Sequence, residues 1–453
     1  MARYFGTDGI RGIAGRELDY ALSYRLGWAS ARALAGGGGA SLLVGRDTRA
    51  SGGMLEAGLV AGICDAGAEA LVAGVLPTPA VALLVRQYGA DAGVVISASH
   101  NPAEYNGIKL FGGTGMKLSR ALEDSIERHM DECTTARAHE CGRGAAGERA
   151  RYIAHARSDY IAALTQGARA RLNGLHAVLD CANGAASLCA GQVLRRLGAR
   201  TTVLSNQPDG YNINAGCGAL HTQKLRRVTA ELGADVGLAF DGDADRLIAV
   251  DERGVELDGD RLLAIIGLDM QRRGALRGGA VVSTVMSNAG LERALGAHGL
   301  ANPRAQVGDS NVLELMLERG CNLGGEQSGH IILLDRATTG DGILTATELM
   351  AIMATRGRRL SELAECMRAL PQTQVNARVS AKGRAEYAAD GDIARRIAEI
   401  ERRYAGRGRL LVRASGTEPL VRIMAECEDA DEACADAHAL GALIESRFPP
   451  DNS

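Results

Sequence analysis

The chain has 453 residues, 46% hydrophobic and 23% charged, which is beyond the size at which one hydrophobic core keeps growing and predicts several soluble globular domains. A net charge of −3 and an aromatic content of 3% provide neither the field nor the stacking surface for nucleic acid, and no attraction to an anionic membrane. The ten cysteines form no C-x-x-C pair and the nine histidines no H-E-x-x-H, so thiolate or zincin metal chemistry is not indicated. Reduced, buried thiols and the lack of a leader-like or membrane-length apolar run fit a cytoplasmic location.

In chain order, "SLLVGRD" (41–47), "EALVAGV" (69–75) and "AGVVISA" (92–98) read as short buried strands with helical patterns between them, the signature of an α/β unit with parallel strands. The rhythm recurs in "HAVLDCAN" (176–183), "RTTVLSN" (200–206) and "DVGLAFDGD" (235–243). It returns a third time in "GAVVSTV" (279–285), "RAQVGD" (304–309) and "CNLGGEQSGHIILLD" (321–335). The last 80 or so residues change to a βαββα order, a smaller α+β domain. The small polar stretch 133–150 and Pro371 in "MRALPQTQ" mark boundaries, so the expected domains are 1–150, 151–255, 256–369 and 370–453.

Four loops at or just after predicted strands carry the chemistry, where ligands bind in open α/β sheets. In "SASHNP" the Asn101-Pro102 turn leaves Ser99 at a strand end, and Asn106-Gly107 predicts a second turn that returns Lys109 toward Ser99 and His100. In "DGDADR" the alternating Asp241, Asp243 and Asp245 can face one hard cation, with Mg2+ the natural candidate. An EF-hand loop competes, since Glu252 falls at the twelfth position, but Arg246 occupies the sixth, where that loop needs glycine. In "GGEQSGH" a dense polar run, Glu326, Gln327 and Ser328, suits sugar hydroxyl or amino groups, with His330 placed as a proton carrier. In "RASGTEPLVR" Ser415, Gly416 and Thr417 offer N–H and hydroxyl donors to a phosphate, and Arg413 and Arg422 supply charge. Each loop alone has a plain structural alternative: a cap, a solvated acidic loop, a polar turn or a tight hairpin. Together, a serine, a cation site, a polyhydroxyl reader and an anion clamp describe phosphoryl transfer on a sugar phosphate.

With "FGTDGIRG", "GRDTR", "ISASHNP", "NGIK", "LDCANGA", "PDGYNINAGCG", "FDGDADR", "TVMSN", "GGEQSGH", "TTGDG" and "RASGTEPLVR" in this order, the chain resembles the α-D-phosphohexomutase superfamily. Within it, the chain is similar to the branch that works on glucosamine phosphates. The resemblance implies a heart-shaped, four-domain protein with one loop from each domain in a central cleft. It implies that Ser99 carries a phosphoryl group, with Ser97 a structural neighbour. One Mg2+ per chain would be held by Asp241, Asp243, Asp245 and a phosphate oxygen on Ser99. The implied reaction interconverts glucosamine 6-phosphate and glucosamine 1-phosphate through glucosamine 1,6-bisphosphate, which also serves as primer, and feeds amino-sugar nucleotide and cell-wall precursor synthesis. Glu326, Ser328 and Arg246 would border the sugar. The clamp Arg413, Ser415, Gly416, Thr417 and Arg422 would hold the idle phosphate. Lys109, His100 and His330 would be candidate acids or bases, and Arg11 would steady the phosphoserine. A small hexosamine phosphate is the expected partner, with a homodimer possible. Two stretches depart from the family pattern: "VGDSNV" (307–312) has Ser310 and Asn311 where the family usually carries arginine and tyrosine, and "GALHTQKL" lacks the usual neighbours of His221. The competing functions are a phosphomannomutase or phosphoglucomutase, and a non-catalytic sugar-phosphate binder.

Overall fold

A computed structural model describes residues 4–6, 9–34, 39–133, 149–415 and 418–450. They fall into two compact units, Met1–Met286 with Leu300–Cys366, and Ser287–Gly299 with Met367–Ser453. Most of the expected linker, residues 134–148, lies outside the described residues.

The first unit contains two full sheets and a smaller strand set built to one plan. In the first sheet β1 (Ile10–Ile13), β2 (Ser41–Arg46), β3 (Glu69–Val75), β4 (Ala92–Ile96), β5 (Tyr105–Gly112) and β6 (Ala150–Tyr152) are ordered β1-β5-β4-β2-β3-β6. Only β5 runs against the others. In the second, β7 (His176–Asp180), β8 (Arg200–Leu204), β9 (Val236–Phe240), β10 (Leu247–Asp251) and β11 (Glu256–Leu257) are ordered β11-β10-β9-β7-β8, and β10 alone is reversed. The third set is reduced: β12 (Ser283–Thr284) pairs in parallel with β13 (Arg304–Ala305), and β14 (Leu323–Gly325) pairs antiparallel with β15 (Ile331–Leu333). A single parallel bridge, Val282 to Gly324, joins the two pairs. The three chemistry-bearing loops of this unit therefore each connect a strand to its reversed neighbour: β4 to β5, β9 to β10 and β14 to β15.

The strands expected over 279–285 and 304–309 shrink to two residues each. Gly278, Gly279 and Gly308 take positive φ values of 74°, 60° and 126°, which an extended strand cannot accommodate. Apolar residues fill the cores as the pattern requires: Leu42, Val44, Val94, Ile96 and Ile108 in the first sheet's core, and Val178, Ala239 and Val250 in the second. Helices Tyr20–Leu34 and Gly52–Asp65 cross closely in the first core. A Cβ on Gly62 would lie 2.0 Å from the Tyr24 carbonyl oxygen, so only glycine permits that contact.

The second unit is a three-stranded antiparallel sheet, β16 (Gln372–Arg378), β17 (Gly408–Ala414) and β18 (Leu420–Cys427), in the order β16-β18-β17. Helices Gly391–Tyr404 and Ala430–Arg447 pack on it through Ile393, Ile400, Ala437 and Leu440. After β16 a short helix, Ala381–Glu386, begins where the Ser380 hydroxyl caps it by accepting the Gly383 N–H at 3.1 Å.

Candidate active site

Chain direction changes abruptly after β4. Ser99 has φ = 50°, a left-handed conformation that costs a non-glycine residue about 1 kcal/mol or more and so must be held by its surroundings. The Ser97 hydroxyl accepts the Ser99 N–H (2.9 Å) and donates to Asp47 (2.7 Å). Asp47 is paired with the wholly buried Arg49 at 2.9 Å. That guanidinium donates to the carbonyls of Ser99 (2.9 Å), Asn101 (2.8 Å) and Tyr105 (3.0 Å), and to that of Pro102. The Asn214 amide adds donors to the Ser99 and Asn101 carbonyls at 2.9 and 3.0 Å. With its backbone held from behind, Ser99 presents its hydroxyl forward, 2.6 Å from Asp241 Oδ2.

The acidic loop meets it from β9. A Cβ on Gly242 would sit 2.5 Å from the Ser99 carbonyl oxygen, so glycine between the aspartates lets the two loops touch. Oxygens of Asp241, Asp243 and Asp245, all buried, lie within 4.8 Å of one another. Thr78 donates to Asp243 at 2.6 Å, and Lys109 Nζ stands 3.4 Å from Asp243 and 3.8 Å from Asp245. Asp243 Oδ1 and Asp245 Oδ1 remain buried without a hydrogen-bond partner. Burial, then the carboxylates of Asp245 and Asp243, push the Asp241 carboxyl well above its ordinary range. Burial opposes ionisation of Asp245 too, but the His330 hydrogen bond and the Lys109 charge hold it well below. Three hard oxygen donors, two of them (Asp243 and Asp245) with an orphaned atom and the third, Asp241, resisting ionisation, fit a divalent cation such as Mg2+.

Lys109 arrives by a route other than the expected turn. Asn106 and Gly107 lie inside β5, which returns antiparallel to β4 with Val95 opposite Lys109. The Asn106 side chain donates to the Ser51 hydroxyl and accepts the Gly107 N–H, each at 2.9 Å. Gly107 is small because a Cβ there would lie 2.6 Å from the Ser97 carbonyl oxygen. His100 Nδ1 is 3.4 Å from the Ser99 hydroxyl. Burial and the charges of Arg246 and Arg11 lower its pKa to about 4, so it is neutral at pH 7. Arg11, on β1 opposite Gly107, acts on that imidazole electrostatically. The Arg246 N–H donates to Asp241 at 3.3 Å, and its Nε is buried without a hydrogen bond.

His330 lies beside the carboxylate trio. It is 3% exposed, accepts the Gly340 N–H at Nε2 (3.0 Å) and turns Nδ1 to Asp245 at 3.5 Å. Both ring nitrogens are engaged inside the protein, which places the ring proton on Nδ1, facing the carboxylate. Glu326 Oε1 accepts the Gly308 N–H (3.1 Å), and Ser328 donates to Oε2 (3.3 Å). Ser310 and Asn311 open the helix Asp309–Arg319. Lys117 Nζ, from the loop after β5, lies 2.7 Å from Asp309 and 3.3 Å from the Ser310 hydroxyl. His221 is exposed at the end of a single 3-10 turn.

In the second unit Arg413 and Arg422 are cross-strand partners on β17 and β18. Arg422 pairs with Glu418 at 2.7 Å, but its Nε is buried without a hydrogen bond, and burial together with the Arg422 charge lowers the Arg413 pKa. Two adjacent guanidiniums of like charge are chemically suited to an anion. Ser415 is buried; its N–H donates to the Leu420 carbonyl at 2.8 Å, and its hydroxyl accepts the Glu418 N–H at 3.3 Å. Gly416 and Thr417 lie outside the described residues.

Thus Ser99, His100, Lys109, Asp241, Asp243, Asp245, Arg246 and His330 gather in the first unit. Sequence reasoning had assigned no role to Asp47, Arg49, Thr78 or Asn214. Arg49 and Asn214 stood in motifs already quoted, but nothing local says that an arginine two residues past a strand is buried under a loop 50 residues away.

Family models for phosphoglucomutase/phosphomannomutase match the chain as alpha/beta/alpha domain I (residues 2–137), domain II (150–254), domain III (258–370) and the C-terminal domain (375–439). The phosphoglucosamine mutase of Clostridium kluyveri is 49% identical over 449 residues, covering 99% of this chain and 100% of that one. The chain belongs to the phosphoglucosamine mutase family. A second relative, the phosphoglucosamine mutase of Moorella thermoacetica, is 51% identical over 433 residues, 95% of this chain and 97% of its own. Among solved structures, a phosphoglucomutase/phosphomannomutase family protein from Burkholderia thailandensis shares the fold with a TM-score of 0.81 at 24% identity, covering 99% and 98% of the two chains. An Aspergillus fumigatus N-acetylphosphoglucosamine mutase, solved with GlcNAc-6P and magnesium, does so with a TM-score of 0.67 at 17% identity, covering 99% and 96%. This member of the phosphoglucosamine mutase family is a four-domain α/β protein. Among the described residues no helix is long and apolar enough to cross a membrane.

Proposed function

We propose that the protein interconverts glucosamine 6-phosphate and glucosamine 1-phosphate, with Ser99 as the residue that stores the phosphoryl group. The observation that carries this reading is the Ser99 hydroxyl 2.6 Å from Asp241, inside a buried trio of carboxylates. Phosphorylated Ser99 passes its group to the C1 hydroxyl of glucosamine 6-phosphate. The new P–O bond forms as the P–O bond to Ser99 breaks, the sugar hydroxyl releases a proton and the serine oxygen gains one. The 1,6-bisphosphate then turns end for end, and Ser99 takes the C6 phosphoryl group, leaving glucosamine 1-phosphate. Bisphosphate can also prime an unphosphorylated chain.

Asp241, Asp243 and Asp245 would hold one Mg2+ together with a phosphate oxygen on Ser99, and the bound ion would offset charge on the phosphoryl group during transfer. Arg49 and Asn214 keep the serine loop fixed while that happens. Neutral His100 is the nearest base to the serine oxygen outside the carboxylate trio, and it takes and returns the serine proton. His330 orients Asp245, and Lys109 balances the charge of Asp243 and Asp245. Glu326, Ser328 and Arg246 border the sugar ring, Arg11 steadies the phosphoserine, and Arg413, Ser415, Gly416, Thr417 and Arg422 grip the idle phosphate. The reading entails a hexosamine phosphate as partner and a cytoplasmic setting, and it requires neither nucleic acid nor membrane.

A coupled assay for glucosamine 1-phosphate, with mass spectrometry of the peptide containing Ser99, tests it. Wild type should turn over and carry phosphate on Ser99, and Ser99→Ala should lose both, with turnover falling roughly 10^5-fold or more. Retained turnover in Ser99→Ala would sink the phosphoserine mechanism. Faster turnover of mannose or glucose phosphates would overturn the choice of sugar.

A further inference from the structure

Away from the carboxylate trio, the first unit contains a cavity of 230 Å³ between the end of helix Ala156–Gln166, helix Gly259–Arg272, β15 and helix Gly342–Arg356. Its lining combines apolar Met270, Ala275 and Leu333 with Arg169, Arg273 and Arg336 and with the carboxylates of Asp335 and Glu348.

The charge around it does not balance. Asp269, with no exposed side-chain surface, is approached by Arg273 (2.7 Å), Arg272 (3.2 Å), Arg169 (3.4 Å) and Arg356 (3.9 Å). Glu348 serves Arg336 (3.0 Å) and Arg169 (3.3 Å), and Asp335 pairs with Arg277. Six guanidiniums therefore share three carboxylates. Arg169, with a side chain only 20% exposed, has a buried Nη2 that lies 3.4 Å from an Asp269 oxygen and makes no hydrogen bond. Crowding cations in a half-desolvated wall is unfavourable unless a further anion is held there. The tip of Arg336 lies over the end of helix Ala156–Gln166: a Cβ on Gly167 would lie 2.5 Å from Arg336 Nη2.

We propose that this cavity is a second binding site, for a compact anion of sugar-phosphate size, with Arg169, Arg273 and Arg336 as its ligands. The apolar side chains take the carbon skeleton, and the guanidinium forks take the phosphate. Arg336 begins the segment that runs to Gly340, whose N–H donates to His330, and His330 faces Asp245 at 3.5 Å, so a chain segment, a hydrogen bond and an ion-pair contact link the cavity to Asp245.

Hydrogen–deuterium exchange on the full chain tests this, with inorganic phosphate and glucosamine 6-phosphate as separate probes and Arg413→Gln/Arg422→Gln as the background. Either probe should protect amides of residues 164–170 and 331–338 at concentrations up to about 10 mM. Protection by both means that phosphate alone suffices; protection by the sugar phosphate alone means that the apolar side chains contribute. Arg273→Gln should weaken that protection about tenfold while protection near Asp241 by the sugar phosphate is unchanged. Arg336→Lys, which keeps the charge and loses the fork, checks a variant that folds poorly. No protection by either probe, or protection that persists in both variants, would overturn the proposal.

Discussion

The serine centre and the arginine pair treat charge in opposite ways. At the first, Ser99, Asp241, Asp243 and Asp245 are all buried, and every backbone carbonyl from Ser99 to Tyr105 that could drift is tied to Arg49 or Asn214, except those of His100, Ala103 and Glu104. At the second, Arg413 and Arg422 are cross-strand partners, with Arg422 42% exposed and paired with Glu418. Moving a phosphoryl group demands groups fixed to a fraction of an ångström and shielded from water. On the proposed function, holding a phosphate that does not react would demand only positive charge in the right place, which a half-exposed hairpin can supply.

Variants at each end sharpen that contrast. Asp241→Asn should reduce turnover roughly 10^4-fold, about 5 kcal/mol of transition-state stabilisation, without lowering the melting temperature measured in EDTA, because the ionised form of this carboxyl is already disfavoured. A large drop in melting temperature would instead make the aspartate a structural residue. Arg49→Met should destabilise the protein by about 4 kcal/mol, leaving Asp47 and the loop carbonyls unpaired in the interior; denaturant melts would show it, and a change below about 1 kcal/mol would break the claim that this network holds Ser99.

Asp341 gives a pH test. It caps helix Gly342–Arg356 and accepts the Tyr160 hydroxyl, and burial, against the Leu344 N–H and Tyr160 hydrogen bonds, raises its pKa from 3.8 to about 6. The folded form binds the proton more tightly than the unfolded one. Its contribution is therefore fully present below pH 3.8 and is lost as pH rises through 6, about 3 kcal/mol in all. Asp341→Asn should flatten the stability profile across that window; an unchanged slope would assign the pH dependence elsewhere. The smallest effect belongs to the arginine pair: Arg413→Gln or Arg422→Gln should raise KM for the sugar phosphate about 10- to 50-fold, the loss of one charge-assisted contact, with kcat and melting temperature nearly unchanged. Equal loss in kcat would mean that this region, too, acts in the transition state.

Much of this was legible in the linear pattern, and the misses have physical causes. Asp241, Asp243 and Asp245 could be read because three carboxylates at alternate positions after a buried strand are costly without a cation. Asn106-Gly107 was misread as a turn because the pair has that preference in isolation; here glycine is required by a carbonyl 2.6 Å from where its Cβ would be, and a full strand returns Lys109. The burial of His330 could not be read from its polar loop, because it depends on Gly340, ten residues on, whose own Cβ would strike the imidazole at 2.7 Å.

By itself the sequence determined what depends on neighbours within a few residues: strand and helix periods, the tight turn at Asn101-Pro102, the spacing of the aspartates and the motif order that identifies the family. Only the tertiary structure decided which distant groups share a buried space: Arg49 behind Ser99, Asp241 in front of it, Thr78 on Asp243. Those pairings follow from strand order and reversal, and a pairing between residues 50 to 165 positions apart leaves no mark on either local pattern until the sheets have closed around it.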